Sequence, residues 1–126
     1  MRYLLHSYCW NGVIVFVCRK KEIERNQIMQ FIITSHDGAN MLEKRMEVRP
    51  RHLEGMAKLS SHIICAGGIL DEDGKPKGSV LVMEFESRAQ LDEYLANEPY
   101  VTEHVWEKVD VETMNVVIVN GEKVGR

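Results

Sequence analysis

From Met29 onward the apolar pattern alternates between a period of two and a period of 3.6, in the order strand, helix, strand, strand, helix, strand. Met29–Thr34 is a short apolar run closed by the turn-like Ser35-His36-Asp37-Gly38, which marks a buried strand. Between Asn40 and Ser60, Leu42, Met46, Leu53, Met56 and Ala57 recur at helical steps. Pro50 falls inside that span, so the helix either kinks there or a second helix starts there. His62–Leu70 reads as a second strand, with Gly67-Gly68 marking a bulge or a close backbone approach. Ser79–Glu86 places Leu81, Met83 and Phe85 on one face of a third strand. Ser87 then opens a helix with the capping-box pattern Ser-Arg-Ala-Gln, and Glu98-Pro99-Tyr100 stops it. Trp106–Met114 and Val116–Val119 are further strands. The order is the split βαβ pattern of a ferredoxin-like α+β fold, a four-stranded antiparallel sheet with both helices on one face. The opposite sheet face needs a cover, because apolar surface left in water is unfavourable. A second copy of the chain is the economical cover, so a homodimer with sheets packed face to face is expected.

Residues 1–28 stand apart, with a net charge of +3 against −6 for residues 29–126. Tyr3 to Cys18 is apolar but broken by His6, Ser7, Asn11 and Gly12, too short for the ~20 apolar residues of a membrane-crossing helix. It also lacks a strong basic n-region and the cleavage site of a secretory signal. The chain therefore reads as an N-terminal extension (1–28) followed by a self-contained domain (29–126). The extension is an extra strand or appendage, a membrane-surface segment, or upstream sequence joined by a misassigned start.

A net charge of −3 argues against nucleic acid as a partner. Cys9, Cys18 and Cys65 form no CxxC pair and no disulfide framework, which points to reduced thiols in a cytoplasmic protein. Cys65, in a strand expected to be buried, reads as inert. No GxGxxG or phosphate-cradling loop is present, and the histidines share no metal-ligand spacing, so neither cofactor nor metal is expected.

The chemistry-bearing residues concentrate between Asp37 and Leu53. Arg45, Arg49 and His52 share one face of a continuous helix. Asp37 lies at the end of the first strand, where a strand-to-helix turn brings its carboxylate toward that face. A histidine beside a carboxylate has a fixed tautomer suited to proton transfer near neutral pH. Nearby arginines attract an anionic substrate and orient its carboxylate or phenolate. The same residues also admit a purely structural role, with Asp37 capping the helix, the arginines in surface ion pairs and His52 half-buried.

Asp37, Leu42-Glu43-Lys44-Arg45, Val48-Arg49-Pro50 and His52-Leu53 resemble the opening signature of the YCII (YciI-like) family. Ala66-Gly67-Gly68, Gly78-Ser79, Glu98-Pro99-Tyr100 and Val105-Trp106-Glu107 continue it in order, so the resemblance runs from Met29 to about Val119. One departure is visible: the family usually has Asp where this chain has Glu98. The resemblance implies a ferredoxin-like domain pairing into a dimeric α+β barrel, with a cleft holding a His-Asp pair that maps to His52 and Asp37. One relative is linked to dehydrochlorination of a chlorinated hydroxyquinol, and related barrels include muconolactone isomerases and cofactor-free monooxygenases.

The resulting expectation is a small enzyme using cofactor-independent acid–base chemistry of isomerase or lyase type on an anionic or aromatic small molecule. His52 acts as base or acid, Asp37 orients it, and Arg49 and Arg45 contact the substrate. Gly67 and Gly68 let the backbone approach the ligand, and Ser79 donates a hydrogen bond from the facing strand. Tyr100 reads as a core or dimer aromatic. The alternative is a non-catalytic dimeric module that binds a small molecule or a partner protein.

Overall fold

The computed structural model describes residues 3–10, 13–20 and 28–125. An N-terminal hairpin pairs β1 (Tyr3–Trp10) with β2 (Val13–Lys20). The junction expected at residues 28 and 29 follows residues 21–27, which lie outside the described residues. From there the chain runs β3 (Met29–Asp37), α1 (Leu42–Lys58), a 3-10 turn at Ser60–His62, β4 (Ile63–Leu70) and β5 (Pro76–Phe85). It continues through α2 (Arg88–Asn97), a short α3 (Pro99–Thr102) and β6 (Trp106–Met114). A last hairpin joins β7 (Ile118–Val119) to β8 (Glu122–Lys123).

The main sheet has the order β4-β5-β3-β6 with every neighbour antiparallel, the expected ferredoxin-like arrangement. Alternation decides the faces. Phe31, Ile33, Leu81, Met83 and Phe85 point to one side and are buried with Val48, Leu91 and Val105 in a single core. Ile32, Val80 and Val82 alternate with them and are only half-buried. Among the described residues, no helix is long and apolar enough to cross a membrane.

Local details depart from the sequence reading in ways that shape the site. Helix α1 is one element that carries Pro50 in its interior, so no second helix starts there. Pro50 removes one backbone donor, but the ring sits on the exposed side. The register shifts of β4 fall at Ile63/Cys65 and Ile69/Leu70, on either side of Gly67-Gly68 instead of at the pair. Cys65 is exposed on this edge strand, contrary to the buried position expected for it, because β4 has a partner on one side only. Ser87 does cap α2, its hydroxyl accepting from the Gln90 N–H. Gly78 is needed where β5 meets β3: a Cβ there would collide with the Ser35 backbone oxygen.

Candidate active-site cleft

Helix α1 lies over the sheet with Arg45, Val48 and Met56 on its buried face. The turn Gly38-Ala39-Asn40 leads into it, with Asn40 in the left-handed region (φ 58°) that asparagine tolerates. Helix entry one turn before Arg45 sets that guanidinium against the end of β3. Arg45 Nη1 donates to both oxygens of Asp37, at 2.8 and 3.1 Å, and Nη2 donates to Ser79 Oγ at 2.7 Å. Both side chains of the ion pair are only 6% exposed. Burial pushes the Asp37 carboxyl above its ordinary range, and Arg45 opposes that shift.

The expected His52–Asp37 pair therefore does not form. Asp37 is held by Arg45, and the carboxylate at His52 is Glu98. His52 Nδ1 lies 2.6 Å from Glu98 Oε1. Glu98 is 2% exposed and receives two further donors: the Tyr94 hydroxyl at 2.6 Å on Oε2 and the Tyr100 N–H at 3.2 Å on Oε1. Local sequence explains this placement. Glu98 is at once the C-cap of α2 and the N-cap of α3, with Pro99 at the first helical position. Tyr94 sits one helical turn before it. Burial and the neighbouring Glu98 carboxylate push the Tyr94 phenol far above its ordinary range, so it stays a donor. The His52 ring stacks on Tyr100 (centroids 4.1 Å apart, 19° between planes) and meets Trp106 edge-on at 6.3 Å.

A carboxylate can only accept, so Nδ1 of His52 carries the shared proton and Nε2 holds the lone pair of the neutral ring. His52 lines a cleft of about 700 Å³ between α1 and the edge strand β4. That volume lies within the ~300–1,000 Å³ usual for small-molecule sites. Arg45, Arg49, Gly67, Gly68 and Ser79 line the same cleft, so the structure gathers these expected residues with His52 and leaves Asp37 beneath them as the partner of Arg45. Ser79 faces the cleft as the acceptor of Arg45. Arg51 pairs with Glu103 and Arg88 with Asp92, whereas exposed Arg49 has no carboxylate within ion-pair distance among the described residues. Gly67 and Gly68 both have negative φ. A Cβ at Gly67 would meet nothing within 4 Å, and one at Gly68 would make only ordinary contacts. The fold does not demand glycine at either position, and what both preserve is the space of the cleft.

Residues 29–115 match the YCII-related domain. The chain belongs to the YCII-related family. It is 32% identical over 97 residues to Protein YciI of Escherichia coli O6:H1, covering 71% of this chain and 99% of that protein. It is also 32% identical over 87 residues to the aspercryptin biosynthesis cluster protein B of Emericella nidulans. That match takes in 62% of this chain and spans about half, 56%, of the fungal protein. Among solved structures, the 5-chloro-2-hydroxyhydroquinone dehydrochlorinase TftG of Burkholderia phenoliruptrix, in complex with 2,5-dihydroxybenzoquinone, superposes with a TM-score of 0.63 at 27% identity. The superposition covers 67% of this chain and 91% of TftG.

Within this YCII-related domain, Glu98 and Tyr94 are the site residues that sequence spacing missed. Their signal was present. A Tyr four residues before an acidic residue, itself followed by Pro, places a phenol and a capping carboxylate on one helix end.

Proposed function

We propose that this YCII-related protein catalyses cofactor-independent acid–base chemistry, of elimination or isomerisation type, on an anionic cyclic small molecule bound in the α1–β4 cleft. The observation that carries the reading is the 2.6 Å contact between His52 Nδ1 and the buried Glu98 carboxylate at the wall of that cleft. Glu98 fixes the tautomer, and its two other donors hold it in place, so Nε2 of His52 is the base. In an elimination, Nε2 takes a proton from the substrate, and the electron pair left behind forms a ring double bond as the leaving group departs as an anion. No oxidant enters that balance. Arg49 supplies the positive charge that attracts the ionised ring oxygen. Asp37 and Arg45 act together as the tie that sets α1 on the sheet.

The likeness to TftG supports a hydroxylated ring as the substrate class. The test is turnover of hydroxyhydroquinones, with and without a chloro substituent, by the wild-type protein and by His52→Ala. Loss of ~10²–10⁴ in kcat with folding intact is expected for removal of a general base. Equal turnover by His52→Ala removes the base role. Ring-compound binding without product from either protein favours the non-catalytic module.

The half-buried row of Ile32, Val80 and Val82 supports a second copy as the cover of the open sheet face. Light scattering on the purified protein is expected to give the mass of a dimer, and a monomer at micromolar concentration would refute this assignment.

A further inference from the structure

Tyr100 is 1% exposed, yet it lines the cleft. Its ring is fully engaged: it stacks on His52, packs against Trp106 at 5.6 Å, and lies 4.7 Å from Arg45 Cζ. Its hydroxyl is different. Tyr94, the other buried phenol of the site, donates to Glu98, but the Tyr100 hydroxyl has no hydrogen-bond partner among the described residues. Nor is it sealed away, since among the described residues the side-chain polar atom that is fully enclosed and unpartnered is Trp106 Nε1. A buried phenol normally finds an acceptor. One that is 99% buried, with its oxygen unpartnered and its surface opening on the cleft, presents a donor to whatever occupies that cleft. Phenylalanine would provide the same stacking and packing, so the hydroxyl serves neither.

Two cations flank this donor. Burial above all, with the Glu98 and Asp37 carboxylates, holds the Tyr100 phenol above its ordinary range, and Arg45 and Arg49 act against them. The phenol therefore stays protonated at neutral pH and remains a donor beside positive charge. That combination suits an oxygen that is, or becomes, negative.

We propose that the Tyr100 hydroxyl, with Arg49, forms the oxyanion site of the cleft and binds the phenolate or enolate oxygen of a cyclic substrate. The proposal rests on the reading of His52 as the base, and it adds the group that receives the charge when His52 withdraws the proton. Stacking of His52 on Tyr100 keeps base and donor on one rigid wall, so a planar ring held against that wall meets both.

Tyr100→Phe removes one oxygen and keeps the ring. The probe is 2,5-dihydroxybenzoquinone, a coloured ring with two ionisable hydroxyls, titrated by absorbance into wild type, Tyr100→Phe and His52→Ala. Tyr100→Phe is expected to keep the wild-type thermal midpoint and to bind the probe at least tenfold more weakly, a difference of ~1.4 kcal/mol. His52→Ala is expected to keep binding while losing turnover. Equal affinity in Tyr100→Phe and wild type overturns the oxyanion assignment, as does a wild-type protein that does not retain the probe. Retained turnover in His52→Ala overturns the base reading instead, so the two failures are distinct. Should Tyr100→Phe fold poorly, Arg49→Gln tests the same oxyanion site from the exposed helix face. A tenfold loss of probe affinity supports the proposal there, and an unchanged affinity overturns it.

Discussion

Replacing Arg45 with Met tests the tie between α1 and the sheet. Methionine fills similar volume, so the main change is electrostatic. Asp37 loses both of its hydrogen-bonded contacts with Arg45, and Ser79 loses a donor. The carboxylate left behind has a side chain only 6% exposed. Removing one partner of a buried pair costs about 3–5 kcal/mol, because the other is stranded without compensation. At ~4–8 °C per kcal/mol for a domain near 100 residues, the thermal midpoint should fall by more than ~10 °C. The loss should also depend on pH. Burial already raises the Asp37 carboxyl above its unfolded value, with Arg45 pulling it down. A group raised in this way contributes stability in full below its unfolded pKa and loses it as pH rises through the folded one. Without Arg45 the Asp37 carboxyl rises further, so the variant loses most at neutral pH and recovers toward wild type as the buffer is acidified to about pH 4. Urea unfolding at several pH values, with the slope checked for constancy, measures this directly. A deficit below ~1 kcal/mol, or one that stays flat between pH 4 and 8, would refute the buried-pair account.

Two glycines should respond in opposite directions. Gly55 lies inside α1, and a Cβ there would meet nothing within 4 Å, so Gly55→Ala is expected to stabilise the protein by about 0.5–1 kcal/mol. A lower thermal midpoint would show that this helix needs the glycine. Gly78→Ala, by contrast, drives a methyl into the Ser35 backbone oxygen and should cost about 1–3 kcal/mol, with faster amide exchange along β3. Unchanged exchange and stability would mean that the strands part there without cost.

The fold was largely legible because each element carried its own period and its own punctuation. Ser87 announced the start of α2, and Trp106–Met114 emerged as a strand with the expected bounds. The site was legible only in its cast. His52, Arg45, Arg49, Gly67, Gly68 and Ser79 do meet in one cleft. Their pairing was not legible, since which carboxylate reaches the imidazole depends on angles that spacing does not encode. Asp37 and Arg45 are eight residues apart and meet because the turn at Asn40 starts α1 one turn before Arg45. Glu98 reaches His52 across 46 residues, from the joint between two helices. The exposure of Cys65 was hidden for a related reason: its composition suits an interior strand, and only the strand order shows that β4 is an edge.

Glu98 also caps α3, a helix of only four residues. So short a helix has little stability of its own and relies on its cap and its packing. The carboxylate that fixes the imidazole is thus also the fastening of a segment prone to fray. Each opening of that turn would release the Tyr100 amide and leave His52 without its fixed tautomer. Hydrogen exchange at that single amide should therefore count the fraction of time the protein is not ready to react.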